Sequence, residues 1–599
     1  MLRSGRFALT SLLALGACQG ESVAVDGGPD APSEDAPSSD TGMDAAERHD
    51  GVGASEDAGF DSSVDVSIDA PPLAEPWLVE VTTEWGIDHV RDSVDDYQTL
   101  TDRVGGGVCP IDADGIAPID LVFAMRPTAA SHTRLYVASQ PGGPGTDVHY
   151  ADETEARGLG AAGDVFACLA FDADADGDED LALSGPHTVQ LFLREGASFV
   201  DASASLGLSL DPSDVYASIS AGDVDHDGDV DLHVGGFIHF DTSRYIPGQR
   251  CGVIPCVSSL YEFEGIANLL LLRDADGTYR EVAATLAPDL ARAEMTFVTG
   301  ILRMTGRGPV DLWVGNDLGG TYRDRVLRWD EASAAYGDVG FELGLATNGR
   351  GYGVDTMGWS QGDLDGNGEL DFVATSWPGD TTAVYFCGPL PEGGELCEDR
   401  GRTVGLERGV GRFRWGVGLG DLDLDGDLDL VEATGHLYSQ ADLRASGVEL
   451  QAASLYENLG HGVLFLQTFP EGDALDLRST QRGLSLVDLD DDGRLDVVMA
   501  SAHGAPRVLR NVRPTSGHYL RLVLAGQGAG ARVEVRWDAG RLVRAHPIGE
   551  GFMGNFDPRV HVGLPAEVSH VDVDVSWPSG RTSHEAGVAV DRELTITEP

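Results

Sequence analysis

Lysine is absent from all 599 residues, so each of the 40 residues counted as Lys+Arg is arginine. Against them stand 99 Asp+Glu, a formal charge of -59. Phosphate backbones need a basic face, so this balance excludes nucleic acid as a partner. Cysteine is scarce, with seven in the chain. No apolar run reaches the roughly 20 residues of a membrane-spanning helix. Several enzyme signatures are missing as well: there is no His-Glu-x-x-His, no Gly-x-x-x-x-Gly-Lys phosphate loop and no Cys-x-x-Cys.

What is there begins with Met1 to Arg6, which is positive, and Phe7 to Ala17, an apolar run of signal-peptide length. The run ends Leu15-Gly16-Ala17-Cys18 and resembles a bacterial lipobox. Residues 1–18 are therefore expected to be a lipoprotein signal. The Cys18 thiol would carry the lipid that holds an exported chain on the outer membrane or cell surface. Residues 19–75 are nearly all small, acidic or Pro, with Arg48 the lone arginine. Such a stretch cannot bury enough apolar surface to fold, so a disordered acidic linker is expected. A flexible coil of about 57 residues would reach roughly 40 Å.

Six cysteines remain after Cys18, an even number that in an exported chain favours disulfides. Cys251 lies close to Cys256 and Cys387 to Cys397, leaving Cys109 and Cys168 as the third candidate pair. Spacing leaves the connectivity open.

From residue 109 to 500 one pattern recurs: acids at positions 1, 3 and 5, glycine at 6, aspartate at 9, then an apolar run of strand length. Five copies are nearly complete. Three are Asp172, Asp174, Asp176 with Asp180; Asp223, Asp225, Asp227 with Asp231; and Asp363, Asp365, Asn367 with Asp371. The others are Asp421, Asp423, Asp425 with Asp429, and Asp488, Asp490, Asp492 with Asp496. A weaker copy keeps Asp112, Asp114, Gly115 and a displaced Asp120, and another keeps only Asp311.

The spacing suits calcium, a hard cation that takes six to eight oxygens at about 2.4 Å. Alternate residues of a tight loop can aim carboxylates at one centre, and glycine at position 6 permits the turn. An EF-hand would close with Glu at position 12, which only Glu432 supplies. About five structural Ca2+ sites are therefore expected. At a dissociation constant of about 0.1 mM in about 1 mM calcium, each contributes about 1.4 kcal/mol.

The closing aspartates lie 60, 51, 80, 60, 58 and 67 residues apart, a period that suits a four-stranded blade. Between the loops an aromatic residue recurs before Gly-Leu or Gly-Ile, as at Phe199 to Leu208, Tyr336 to Leu345 and Trp85-Gly86-Ile87. Seven such units predict an all-β chain, a seven-bladed β-propeller over 76–510 followed by a small β-sandwich-like domain over 511–599. Alternation at Val533, Val535, Trp537 and at Val571, Val573, Val575 marks half-buried strands in the tail.

These units resemble the FG-GAP/VCBS repeats of integrin-type propellers. The stretches Trp415 to His436 and Met357-Gly358-Trp359 are similar to the cartilage acidic protein family. In the tail, Gly549-Glu-Gly-Phe-Met-Gly-Asn555 and Val575-Ser-Trp577-Pro-Ser-Gly580 resemble an ASPIC/UnbV domain. The resemblance implies a calcium-loaded extracellular propeller.

Where the strand after each loop ends stand His187, Asn316, Asp317, Trp377, His436 and His503. Of these, Trp377, His436 and His503 are the ligand-binding candidates. The function expected is a non-catalytic surface module that binds an extracellular glycan or protein, or scaffolds the envelope. The alternative is an extracellular enzyme acting on polysaccharide from the propeller channel. Long insertions around 240–295 and 377–410 are the expected places for function.

Overall fold

The computed structural model describes residues 76–599 apart from 92–103, 127–131, 241–249, 252–253, 256–262, 305–308, 392, 410, 438–449, 470–473, 527 and 547. The expected signal, Cys18, the linker and the Cys251/Cys256 pair lie outside the described residues.

Seven antiparallel sheets follow one another along the chain. Blade 1 is Gly107–Ile111, Asp120–Ala124, Arg134–Ser139 and His149–Asp152; blade 2 is Ala167–Phe171, Asp180–Gly185, Thr188–Glu195 and Ser198–Asp201. Blade 3 is Asp214–Gly222, Asp231–His239, Leu269–Arg273 and Tyr279–Glu281, with Glu264–Gly265 as an extra pairing; blade 4 is Thr296–Leu302, Asp311–Asn316, Arg325–Asp330 and Ala335–Asp338. Blade 5 is Trp359–Gly362, Asp371–Ala374, Ala383–Pro389 and Glu395–Asp399; blade 6 is Arg414–Gly420, Asp429–Thr434, Ser454–Asn458 and Leu464–Leu466. Blade 7 takes Gln481–Val487, Asp496–Ser501 and Arg507–Asn511 from late in the chain, and its outermost strand, Leu78–Glu80, from the beginning.

The second strands are buried on both faces, which is why each reads as a near-continuous apolar run: all six residues of Asp496–Ser501 are buried. First strands of neighbouring blades touch around the ring. Gly107 N–H donates to Phe166 O, Ser218 Oγ to Thr299 Oγ1, Trp359 Nε1 to Thr299 O, Leu419 N–H to Ser360 Oγ, and Gly483 N–H to Gly106 O. Disulfides link Cys109 to Cys168 across blades 1 and 2, and Cys387 to Cys397 within blade 5. Residues 377–410 are thus no insertion: most of the stretch is the outer hairpin of blade 5. Of 240–295, Leu269–Arg273 and Tyr279–Glu281 are the outer strands of blade 3, while 241–249, 252–253 and 256–262 lie outside the described residues.

After Asn511 the chain builds two sheets packed face to face. One is Val560–Leu564, His518–Ala525 and Arg592–Thr597; the other is Gly540–His546, Ala531–Trp537, His570–Ser576 and Thr582–Ala589. Val533, Val535, Val571, Val573, Val575 and Trp577 fill the space between them.

This sandwich sends residues 548–557 into the channel of the propeller. Gly551 and Trp359 exchange backbone hydrogen bonds of 2.8 and 3.2 Å, Cys168 N–H donates to Met553 O, Asn555 N–H to Val108 O, and Asp557 N–H to Leu486 O. Phe552 lies at the centre, 5.9 Å from Phe297 and 5.4 Å from Trp415. Two glycines make the approach possible: a Cβ on Gly107 would fall 1.8 Å from Met553 O, and one on Gly554 2.2 Å from Val108 O. Part of the channel is therefore occupied by the chain itself. Phe552→Ala should cost about 3–5 kcal/mol in denaturant unfolding, the loss expected of a core phenylalanine. A loss under about 1 kcal/mol would mean that the insertion adds nothing to the propeller core.

Candidate metal centres

Each acidic loop joins the first and second strands of a blade, so all seven lie at one end of the propeller. Backbone geometry explains the glycine at position 6, where Gly177, Gly228, Gly368, Gly426 and Gly493 have φ between 90 and 103°. A second left-handed position stands two residues earlier, at Ala175, His226, Gly366, Leu424 and Asp491. The sequence pattern gave no hint of it, because residues of every kind occupy it.

The glycine N–H at position 6 donates to the Oδ2 of Asp172, Asp363, Asp421 and Asp488 at 2.8–3.1 Å, which fixes the position 1 side chains. Position 5 bends back to accept the N–H of position 7, as Asp176, Asp227, Asn367, Asp425 and Asp492 all do. The ninth residue is doubly held. Its Oδ2 accepts the N–H of position 2, and its Oδ1 that of a residue on the third strand: Arg194 for Asp180, Arg273 for Asp231, Cys387 for Asp371, Asn458 for Asp429 and Asn511 for Asp496.

Asp120 makes the same two bonds, from Ala113 and Ala138, so it is not displaced. What changed in blade 1 is the middle of the loop. Gly115 occupies the earlier left-handed position, and Ile116-Ala117-Pro118 replace the acid and the glycine that follow. In blade 4 the surviving Asp311 takes a two-pronged ion pair from Arg328 at 2.8 Å.

Positions 1, 3 and 9 converge. Asp112/Asp114/Asp120, Asp172/Asp174/Asp180, Asp223/Asp225/Asp231 and Asp363/Asp365/Asp371 each present three oxygens within 4.8 Å of one another. Oxygens on opposite sides of one calcium stand about twice 2.4 Å apart, so these sets fit the ion. Buried oxygens without any hydrogen-bond partner point the same way: Oδ1 of Asp172, Asp174, Asp223, Asp363, Asp423 and Asp490. A buried carboxylate oxygen with no donor is costly unless a cation meets it.

The metal-free electrostatics agree. Burial, followed by the neighbouring carboxylates, pushes Asp120, Asp231 and Asp371 up to about 8 and Asp180 to about 7, and Asp429 and Asp496 well above the ordinary range. Backbone donors offset only part of this.

The sandwich covers the loops of blades 5 to 7. Arg541 donates to Asn367 O, Arg544 to Gly426 O, and Arg559 to Asp488 O, while Arg521 pairs with Asp488 at 2.7 Å and Asp491 at 2.6 Å. Blade 4 reaches across from its side, with Arg303 donating to Trp577 O at 3.0 Å.

At the opposite end Asn316 and Asp317 are buried, and Asn316 is spent on Thr296, Glu294 and Arg323 O. His187 is taken up at the contact of blades 2 and 3, where its N–H donates to Asp214 O. Trp377 and His436 come together through Phe413, whose ring lies 4.5 Å from one and 4.1 Å from the other. His503 is held by Thr480, which packs beside Gly435. The sequence reading missed Phe413, which only the meeting of blades 5 and 6 places there.

Without calcium, the folded loops hold protons more tightly than the unfolded chain, whose carboxyls titrate near 3.8. Unfolding then releases protons, so stability should fall as pH rises from about 4 to about 8. With about 1 mM calcium the slope should reverse, since protons compete with the metal at low pH. Melting curves at both ends of this range, with calcium and with a chelator, test it; parallel slopes would speak against metal in the loops. In the backbone, Gly177→Ala should cost and Ala175→Gly should gain about 1 kcal/mol, measured by denaturant unfolding.

Residues 172–234 match the FG-GAP-like repeat family, and residues 525–599 match the ASPIC and UnbV family. A comparison with curated proteins finds no match. Among solved structures the chain is similar to a lectin from Agrocybe aegerita that recognises non-reducing terminal N-acetylglucosamine: 13% identity, TM-score 0.38, covering 68% of this chain and 94% of that one. It is also similar to a rhamnogalacturonan lyase from Bacillus licheniformis, at 10% identity and TM-score 0.29, covering 84% and 91%. A third is the Dos1 propeller, at 9% identity and TM-score 0.32, covering 76% and 93%. The chain thus carries an FG-GAP-like repeat within its propeller and an ASPIC/UnbV domain at its C-terminal end.

Proposed function

We propose that this protein is a non-catalytic, calcium-stabilised binding head, exported and held at the cell surface by a lipid on Cys18, and that it binds a glycan on the propeller end facing away from the sandwich. Calcium in the loops of blades 2, 3, 5, 6 and 7 would be structural, with a sixth ion possible in blade 1 through Asp112, Asp114 and Asp120. Two disulfides fit an oxidising compartment. No helix among the described residues is long and apolar enough to cross a membrane.

The observation that carries the reading is the surface around Trp377. This tryptophan is 37% exposed at the end of blade 5, and its other side is braced edge-on by Phe413. Beside it Asp380 N–H donates to Trp377 O, and the Asp380 carboxylate takes Asn348 Nδ2 at 2.8 Å and Arg402 at 2.6 Å. Tyr352, 65% exposed, stands on the same turn as Asn348, with Arg350 against its ring. Exposed rings can stack on the C–H face of a sugar, and planar amide, carboxylate and guanidinium groups suit paired hydroxyls. A few convergent polar groups beside an apolar platform are the usual make-up of a small-molecule site.

The purified protein with calcium, screened against immobilised polysaccharides, should retain at least one of them without shortening it. Trp377→Ala should weaken that binding by about tenfold while leaving the melting temperature unchanged. Turnover of a retained glycan would replace this reading with an enzyme, and absence of any glycan binding would remove it.

A further inference from the structure

The sandwich does not rest evenly on the seven loops. Over blades 5, 6 and 7 it makes direct contact, close enough that a Cβ on Gly563 would fall 1.9 Å from Asp421 Oδ2. Over blades 1 and 2 it stands away and leaves a cleft of about 440 Å³, within the size range of small-molecule sites.

The two walls are chemically matched. On the propeller side blade 1 presents Ile116 and Pro118, at and just after the place where the complete loops carry an acid and a glycine. Ile116 is 64% exposed. Val523, Leu524 and Ile548 of the sandwich line the other wall. Loss of calcium ligands alone gives no reason to gain an exposed isoleucine; a facing apolar wall does, because a hydrocarbon chain between the two would be taken out of water.

Charge then selects the ligand. The loops 112–120 and 172–180 carry nine carboxylates, of which Arg157 and Arg194 answer two. A calcium ion in each loop would still leave the two loops together at -3, and Asp112, Asp172 and Glu179 are the acids among them that line the cleft. Arg559, which borders the cleft, is committed to Asp557 and Asp491. Glu179 lines the cleft from position 8, which is not a calcium-ligand position, and it is held in place by the N–H of Asp112.

We infer that this cleft binds an alkylammonium group, with the ammonium on Glu179 and the aliphatic chain between Ile116 and the sandwich wall. The group can be a free amine or the side chain of a lysine in a partner. This chain contains no lysine, so a second copy could not fill the cleft in that way.

The test is calorimetric titration of the calcium-loaded protein with pentylamine, with 1,5-diaminopentane, with a lysine-containing peptide and with pentanoate. Amine binding is expected and pentanoate binding is not. Glu179→Gln, and Ile116→Asp at its exposed site, should each weaken amine binding by about tenfold, whereas Trp377→Ala should leave it unchanged. Tighter binding of the peptide than of the free amines would assign the group to a partner's lysine, and the reverse to a small amine. Equal binding of pentanoate, no amine binding, or wild-type affinity in both cleft variants would overturn the inference, with the far-face glycan reading unaffected.

Discussion

The structure turns on a carboxylate that must serve two masters. In six blades the ninth residue of the loop accepts one N–H from the loop and another from the third strand, so it ties a turn to a sheet. The same side chain sits against two more acids, out of water, and the resulting charge calls for a cation. Staple and candidate metal ligand are one group: the hydrogen bonds that make the blade also hold the oxygens together. Blade 4 makes the point by contrast. There the acids at the start of the loop are gone, Asp311 remains, and the guanidinium of Arg328 supplies the positive charge.

The second organising fact is that the two ends of the propeller have different fates. One end is covered by the sandwich, whose arginines meet loop carbonyls and carboxylates. An arginine surface is well suited to this, since its planar forks can satisfy several acceptors at once. Residues 548–557 extend the contact through the channel by pairing with backbone groups of five blades, including Ala221 of blade 3, whose N–H donates to Ile548 O. The other end keeps its loops, its exposed rings and its polar planar groups. A fold that commits one face to its own chain leaves the opposite face, and the gap at the edge of the covered one, for other molecules.

Much of this was legible in the sequence. The Asp-x-Asp-x-Asp-Gly pattern and its period gave the seven blades, and alternation gave the tail strands. What stayed hidden follows from physics that single positions do not display. Position 4 adopts positive φ without demanding glycine, so Asp120 was misjudged as displaced when it was the glycine of blade 1 that had moved. The motif around Phe552 could be recognised, but not its place, because it pairs with strands that begin some 190 to 440 residues earlier in the chain. Residues 377–410 looked like an insertion because the outer strands of a blade, half exposed and interrupted by a disulfide turn, lack the apolar run of the inner ones. Trp377 and His436 stood out individually; Phe413, the ring that joins them, did not.

The outermost strand of blade 7 comes from Leu78–Glu80, and part of the channel is filled from beyond residue 547. During synthesis neither event can happen until nearly the whole head has left the ribosome. The first blades must then wait with an unclosed edge and an empty centre while the later ones are made. Closure of the ring thus depends on one long-range pairing, Leu78–Glu80 with Arg507–Asn511, a kind of contact that forms slowly. The exposed strand edges in the meantime would be open to wrong partners, and the dense negative charge of the empty loops would help keep those partners apart.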